Sequence, residues 1–147
     1  MFGIKDPFGI RPLVLGKIGR SFVLSSETCA LDMIGAKYIR DIDNGEILEI
    51  SRNGLNSFKP FPKVNERPCI FESIYFSRPD SKIKGKTVYM YRKELGSQLA
   101  LENKINADYV VPIMDSGTPA ALGFSQKSLI TFEIGIIRSH YVGRTCI

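Results

Sequence analysis

The sequence predicts a mixed fold of class α+β / α/β, in which antiparallel β structure is followed by a parallel sheet with helices. Three observations support it. Residues 1–57 contain short apolar runs separated by turn signals. Residues 58–68 are rich in proline and charge, which interrupts that pattern. From residue 69 onward, strand-like and helix-like patterns alternate, as is typical of strand–helix–strand units with a right-handed crossover.

The first predicted elements form a hairpin and a short helix. Residues 10–15 and 21–25 have the composition of strands, and the glycine-containing stretch 16–19 between them predicts the turn. A helical stretch is expected at 29–35. The hairpin therefore opens an antiparallel sheet.

A second hairpin is predicted from residues 37–42 and 46–50. Asn44 and Gly45 lie between these runs and tolerate the positive φ of a type I′ turn. The alternation of 46–50 is imperfect, so we expect one face of this sheet to be buried under another layer.

The stretch 58–68 is interpreted as a joint between a first domain at 1–57 and a second at 69–147. Its prolines restrict the backbone to extended or turn conformations. A long surface loop inside a single domain is the alternative interpretation.

The second half is predicted to begin with a strand at 70–76 and a turn at 78–81. A helix follows, with Thr87 as its N-cap, and fades near Asn103. Its predicted apolar stripe comprises Val88, Tyr91, Leu95 and Leu99, and its predicted polar face comprises Arg92, Lys93, Glu94 and Gln98.

A strand from Tyr109, a helix from about Pro119 to Lys127 and a strand at 131–137 complete the pattern. A parallel sheet built this way binds ligands at the carboxyl ends of its strands. The chemistry of the chain is therefore expected after residue 114.

Two segments in that region predict a phosphate site. Asp115 and Ser116 follow a strand and precede a helix, where a hydroxyl and loop N–H groups can hold a diphosphate or a metal-bound phosphate. Arg138 and Arg144 supply cations suited to phosphate. The alternatives are that Asp115 and Ser116 only cap the helix, and that the basic segment is a solvated loop.

Length and composition place limits on function. The chain has 147 residues, of which 44% are apolar, enough for a core. No run approaches the roughly 20 apolar residues of a membrane span, and no secretory signal is recognisable, so we expect a cytoplasmic protein without membrane contact. The net charge of +5 is scattered in ones and twos, which argues against nucleic acid as a partner. The three cysteines are too few for a disulfide framework.

Several motifs in order resemble the amidophosphoribosyltransferase family nearly end to end. They are DPFGIRPL at 6–13, SETCAL at 26–31, GEI at 45–47, CIFE at 69–72, YFSRPDS at 75–81 and YVGRT at 141–145. The resemblance implies the glutamine-dependent first step of purine synthesis, which makes 5-phosphoribosylamine from phosphoribosyl diphosphate. It also implies that 1–57 is the end of an Ntn-type glutaminase domain and 69–147 the start of a type I phosphoribosyltransferase domain.

The same resemblance implies roles for single residues. Ser116 matches a Mg²⁺-diphosphate position, Arg138 a basic residue near the nucleotide and substrate, and Tyr141 the start of a loop that closes over the substrate. Cys69 matches one of four ligands of the [4Fe–4S] cluster of some members, and one thiolate cannot hold that cluster. Phosphoribosyl diphosphate and purine nucleotides are the implied partners, and full-length members are homo-oligomeric.

The chain also departs from the family pattern. The family's nucleophile is an N-terminal cysteine, whereas this sequence starts with Met1, and the paired aspartates of the phosphoribosyl-diphosphate loop are not found in it. We therefore expect a fragment without catalysis of its own. Alternatives are one subunit of a split but working enzyme, completed by complementing fragments, and a non-catalytic module that binds phosphoribosyl compounds or nucleotides.

Overall fold

Two antiparallel sheets and a short helix form the first part of the computed structural model, which describes residues 1–143. The strands are β1 (Phe2–Ile4), β2 (Val14–Ile18), β3 (Ser21–Ser25), β4 (Lys37–Asp41), β5 (Ile47–Ser51) and β6 (Gly54–Phe58). One sheet has the order β1-β5-β6 and the other β3-β2-β4. Helix α1 spans Thr28–Met33, close to its prediction. The antiparallel character of this half is confirmed.

The core of this part lies on both faces of β2. Successive side chains of a strand point to opposite faces, so Val14 and Leu15 enter different layers. Val14 packs with Leu31 of α1 and Ala36, whereas Leu15 packs with Ile42 and with Leu48 of β5. The sheet β3-β2-β4 is thus covered by the helix on one face and by the second sheet on the other.

The first hairpin forms, but the prediction of its turn at 16–19 is wrong. Gly16 pairs with Val23 inside the ladder, and the strands continue until Ile18 pairs with Ser21. Gly16 remains in the strand because Leu31 packs over it, leaving no space for a larger side chain. The turn is shorter than predicted, at Gly19 and Arg20.

The predicted hairpin of 37–42 with 46–50 is also wrong. Its two strands exist, but β4 pairs with β2 and β5 pairs with β1 and β6, so they belong to different sheets. Gly45 does adopt a positive φ of 75°. The turn nevertheless carries the chain from one sheet to the other, because Ile42 and Leu48 are both buried between the two layers. Instead, β5 forms a hairpin with β6, a strand that the sequence patterns do not predict.

A buried carboxylate stabilises this crossing between the sheets. The Glu46 side chain is 1% exposed and accepts hydrogen bonds from both terminal nitrogens of Arg40, at 2.8 and 2.6 Å. It also accepts from the Asp43 N–H and the Ser57 hydroxyl, both at 2.8 Å. Arg40 comes from β4 and Ser57 from β6, so one side chain ties the two sheets together.

The stability of the chain should fall in acid because of Glu46. The Arg40 hydrogen bonds lower the pKa of this carboxyl from 4.5 to about 2. A lowered pKa stabilises the folded state fully above pH 4.5, and that stabilisation is lost as the pH falls through about 2. We expect a loss of about 2 kcal/mol, reduced by solvent around the half-exposed Arg40.

Urea unfolding at a series of pH values measures this loss. The Glu46→Gln variant should show a flatter profile between pH 4.5 and about 2, because an amide does not titrate there. An equally steep profile in that variant would assign the acid sensitivity to other groups.

The prediction of a strand at 70–76 is wrong, since this segment is helical and contains a π-helical turn at Glu72–Phe76. Ile70 and Ile74, like Phe71 and Tyr75, are four residues apart, which is also a helical spacing. Glu72 within the turn is paired with Arg11 and accepts from the Ser77 hydroxyl at 3.2 Å. The turn predicted at 78–81 is confirmed by the bond from Ser81 N–H to the Arg78 carbonyl. A short hairpin follows, β7 (Lys82–Ile83) with β8 (Lys86–Thr87).

The chain divides into two compact units between Val88 and Tyr89. The stretch 58–68, predicted as the joint, lies within the first unit. It has no regular secondary structure between Phe58 and Ile70, but it is held along residues 8–10 by bonds from Arg67 N–H to Phe8 O and from Cys69 N–H to Ile10 O, at 2.8 and 3.1 Å.

The second unit contains helices and a parallel strand pair. The elements are α2 (Val88–Glu102), β9 (Tyr109–Val110), α3 (Thr118–Ser128) and β10 (Thr131–Phe132). Tyr109 pairs with Thr131 and Val110 with Phe132 in parallel register, which confirms the predicted strand–helix–strand unit. Both strands are shorter than predicted. Pro119 occupies the first turn of α3, as expected.

The predicted apolar face of α2 is confirmed at its start, where Val88 is 1% exposed and Tyr91 is half-buried, but it is wrong further along. Leu95 and Leu99 are 42% and 52% exposed, whereas Arg92, placed on the polar face, is 3% exposed. The face of α2 that packs on α3 contains small residues. A Cβ on Gly96 would overlap the Ala120 carbonyl, and a Cβ on Gly123 would overlap the Lys93 carbonyl, so only glycine allows this close approach. Ser97 donates to the Gly123 carbonyl at 3.1 Å, so α2 and α3 touch backbone to backbone.

Within residues 1–143, no helix combines the length and apolarity that crossing a bilayer requires.

Candidate functional site

The parallel pairing of β9 and β10 determines where the candidate site lies. Their carboxyl ends lie at one edge of the sheet, and the chain leaves β9 through residues 111–117 before α3 begins. Glu133 N–H donates to the Val110 carbonyl at 3.0 Å, which extends the contact just beyond β10. Asp115 and Arg138 are thereby carried to the same edge, as expected for a ligand site in such a sheet.

The loop before α3 is organised by its own backbone. Gly117 N–H donates to the Ile113 carbonyl at 3.1 Å, and Thr118 N–H to the Asp115 carbonyl at 3.3 Å. The N-cap of α3 is Gly117, which has no side chain to cap with. Capping by the N-cap side chain therefore does not explain the polar residues here. Ser116 is half-buried, and its hydroxyl makes no hydrogen bond to residues 1–143.

Asp115 and Arg138 form an ion pair. The Arg138 guanidinium lies 3.6 Å from the Asp115 carboxylate, and the side chains are 55% and 58% exposed. The structure thus brings together two of the predicted site residues, which are 23 positions apart in the sequence. Both charged groups remain open to solvent and to a ligand.

Tyr141, another predicted site residue, does not join this ion pair. Tyr141 is 99% exposed, so its ring does not pack on the loop, and its N–H donates to the Ser139 hydroxyl at 3.4 Å. Arg144 and Cys146 lie outside the described residues. The role of Tyr141 and Arg144 in substrate binding stays a prediction.

The cysteines of the described region have the properties of structural residues. Burial raises the pKa of the Cys29 thiol, which keeps it protonated, and Cys69 is partly buried with no hydrogen bond from its thiol to a described residue. Within residues 1–143, no three side chains of His, Cys, Asp or Glu are grouped as metal ligands. The described residues therefore give Cys69 no companion ligands for an iron–sulfur cluster, which needs four, and its role as a cluster ligand stays a prediction.

Glu27 is the centre of a hydrogen-bond group that no sequence pattern predicts. Its carboxylate accepts from the Arg78 N–H at 2.8 Å and from the Ser81 hydroxyl at 2.7 Å, while Thr28 accepts from the Lys82 N–H at 2.8 Å. These contacts fix the turn at 78–81 against the start of α1. The partners are more than 50 residues apart, and no local pattern connects them.

A cleft of about 690 Å³ also lies within the first unit. Its walls include the proline-rich stretch, and they carry charges of both signs, such as Lys63, Lys82 and Glu27. Within the described residues, every buried side-chain nitrogen and oxygen has a hydrogen-bond partner. The cleft therefore does not select a ligand class.

Comparison with known proteins gave consistent results. The chain is 53% identical to amidophosphoribosyltransferase from Rhizobium etli and 47% identical to the enzyme of that name from Synechocystis sp.. Each match covers all of this chain but only 31% and 30% of those proteins. No protein family model matches the chain.

Two solved structures match the fold over the entire chain and over 32% of their own. One is described as the allosteric regulatory enzyme of purine biosynthesis, with a TM-score of 0.94 and 44% identity. The other is glutamine phosphoribosylpyrophosphate amidotransferase from B. subtilis complexed with ADP and GMP, with a TM-score of 0.93 and 44% identity. The chain spans about a third of the length of the proteins that it matches.

Proposed function

We propose that this chain, which corresponds over its whole length to part of an amidophosphoribosyltransferase of purine biosynthesis, supplies the diphosphate-binding edge of a phosphoribosyl diphosphate site. In the reaction proposed for the whole protein, ammonia released from glutamine attacks C1 of the ribose and diphosphate leaves. We assign 1–57 to the glutaminase domain and 69–147 to the phosphoribosyltransferase domain, with 58–68 between them.

The ion pair of Arg138 with Asp115 is the observation that carries this proposal. It marks a point, at the carboxyl ends of parallel strands, where a cation and a polar loop meet. The Arg138 guanidinium can donate two parallel hydrogen bonds to phosphate oxygens. The Ser116 hydroxyl, which has no partner among residues 1–143, is available as a donor or as a metal ligand.

The residues present also fit a magnesium ion bound together with diphosphate. Mg²⁺ takes few ligands from protein and keeps phosphate oxygens and water around it. Ser116 and Asp115 offer a hydroxyl and a carboxylate next to each other, both with access to solvent. When bound, the ion would neutralise the charge that develops on the departing diphosphate.

Regulation by purine nucleotides is part of the same proposal. The B. subtilis relative is described as complexed with ADP and GMP, which are themselves phosphorylated ribosides. A basic group that binds the phosphate of the substrate is suited to the phosphate of such a nucleotide as well. We further propose that the full-length protein is homo-oligomeric.

Replacing Arg138 with glutamine should weaken binding of phosphoribosyl diphosphate about tenfold, because a charge-assisted bidentate contact is lost. Calorimetric titration of the chain in the presence of Mg²⁺ measures this. The wild-type affinity is expected to be millimolar, on the order of −4 kcal/mol. Lys127→Gln, which removes the same charge from the last turn of α3, should leave the affinity unchanged.

Two results would contradict the proposal. One is an absence of binding to the wild-type chain at millimolar concentrations. The other is equal weakening by Lys127→Gln, which would indicate attraction by net charge and not a site at the strand ends.

A further inference from the structure

Two Asn-Gly sequences occur in the chain, Asn44-Gly45 and Asn53-Gly54. In such a sequence the asparagine side-chain carbonyl can be attacked by the backbone nitrogen of the next residue, because glycine has no Cβ to hinder the approach. The first sequence lies in the turn between the two sheets, and the second lies at the tip of the hairpin formed by β5 and β6. The two asparagines therefore have the same chemistry in different surroundings.

The Asn44-Gly45 sequence is held in place by the loop at 6–10. Gly45 is buried, and its N–H donates to the Asp6 carbonyl at 3.1 Å. The Asn44 side chain lies against Gly9, where an added Cβ would be 2.6 Å from the Asn44 Cγ. Two backbone N–H groups of the loop donate to the Asp6 carboxylate, at 2.9 and 3.0 Å, and fix the loop itself. The nitrogen and the side chain that must meet are both restrained by other contacts.

The Asn53-Gly54 sequence is open to solvent. Asn53 is exposed, and its N–H donates to the Ser51 hydroxyl at 3.2 Å, whereas its side chain makes no hydrogen bond to residues 1–143. No atom lies within 4 Å of a Cβ built on Gly54. Gly54 pairs with Ser51 as the last pair of the hairpin, and opening the end of a hairpin costs far less free energy than opening a buried turn.

We propose that Asn53 is a site of spontaneous deamidation in the folded protein and that Asn44 is protected from this reaction. The backbone nitrogen of Gly54 loses its proton to hydroxide and attacks Cγ of Asn53, and the bond from Cγ to the amide nitrogen breaks. Ammonia leaves after taking a proton from water, and a cyclic succinimide remains. Water then opens the ring at either carbonyl and gives aspartate or isoaspartate. The net reaction consumes water and releases ammonia.

The product differs from the starting chain in charge, mass and backbone. Both forms place a new carboxylate beside Arg52 in the exposed turn. Isoaspartate also adds a methylene to the main chain between Ser51 and Gly54, the residues that close the hairpin. The reaction can therefore be followed by ion exchange and by mass spectrometry, and it does not depend on the proposed diphosphate site.

The test is incubation of the full chain at mildly alkaline pH, followed by cleavage after lysine and mass spectrometry. No lysine lies between Lys37 and Lys59, so the single peptide 38–59 contains both sites, and its fragment ions assign the modified residue. We expect Asn53 to react at least about tenfold faster than Asn44, because reaction at Asn44 requires a buried hydrogen bond to open first. Both reactions should slow at acidic pH, since the attacking nitrogen must lose its proton.

Unfolding in urea provides the matched control. In the unfolded chain the two sequences lose their different surroundings, so their rates should agree within about twofold. The variant Asn53→Gln should abolish the fast reaction and leave the rate at Asn44 unchanged, because a glutamine side chain must close a larger ring. Circular dichroism of this variant should match wild type, since the Asn53 side chain is exposed.

Three results would overturn the proposal. Equal rates at Asn44 and Asn53 in the folded chain would show that the loop at 6–10 gives no protection. A faster reaction at Asn44 would reverse the assignment. No reaction at Asn53 in the folded chain, whatever occurs in urea, would show that the end of the hairpin does not open far enough for the attack.

Discussion

Replacing Gly96 with alanine is expected to lower the free energy of unfolding of the second unit by about 3 kcal/mol or more. The added Cβ would overlap the Ala120 carbonyl oxygen and lie 2.9 Å from the Ala120 Cα, so α2 and α3 must move apart. Alanine favours a helix over glycine by about 1 kcal/mol, which opposes this loss. The steric effect is larger, because the obstacle is backbone and has no rotamer through which to escape.

Urea denaturation followed by circular dichroism measures the effect. Gln98→Ala, on the exposed side of the same helix, should leave stability within about 0.5 kcal/mol of wild type. Gly123→Ala, which would overlap the Lys93 carbonyl from the other helix, should behave like Gly96→Ala. A stabilised Gly96→Ala variant would mean that the two helices are not in backbone contact.

Replacing Glu46 with alanine is expected to destabilise the first unit by about 3 kcal/mol at neutral pH. The substitution leaves Arg40, the Asp43 N–H and the Ser57 hydroxyl without their shared acceptor. It also leaves a cavity where the Glu46 side chain, which is 1% exposed, was packed. Arg40 can recover some hydration because its side chain is 38% exposed, so the loss should stay below the upper range for buried pairs.

The matched control is Glu49→Ala, three residues further along in β5, since Glu49 is half-buried and forms no ion pair within residues 1–143. It should cost less than about 1 kcal/mol. A double-mutant cycle with Arg40→Met isolates the pair, and we expect a coupling of about 1 to 2 kcal/mol. Equal losses for Glu46→Ala and Glu49→Ala would show that the network does not join the two sheets.

Local patterns located most of the strands but not their partners. The strands predicted at 21–25, 37–42 and 46–50 are confirmed, and so is a turn at Gly45. Which strand pairs with which depends on burying Ile42 and Leu48 between two layers, a condition that no short window contains. The chain therefore crosses between sheets where a hairpin was expected.

The spacing of apolar residues predicts the wrong face or element where packing depends on small residues or on specific ion pairs. In α2 the apolar residues at three- and four-residue spacing predicted one face, yet the contact with α3 uses Gly96 and the neighbouring Ser97. In residues 70–76 the apolar positions fit both the alternation of a strand and the four-residue spacing of a helix. The segment is helical, and in that conformation Glu72 pairs with Arg11.

The candidate site could be predicted in part because its chemistry follows strand ends. Asp115 and Arg138 were selected from sequence, and the parallel strands bring them to 3.6 Å. The contacts of Glu27 could not be foreseen, since its partners Arg78 and Ser81 follow from tertiary structure alone.

The pairing pattern of the first unit has a kinetic consequence. Its contacts join distant parts of the chain. Strand β1 pairs with β5, Arg67 N–H donates a hydrogen bond to the Phe8 carbonyl, and Arg78 N–H donates one to the Glu27 carboxylate. Each of these contacts forms only after a long loop has closed, and that closure costs conformational entropy before the contact stabilises the fold. Folding of such topologies therefore takes milliseconds to seconds. During that time unpaired strand edges are exposed to other chains, and dilution should favour recovery of the native state after denaturation.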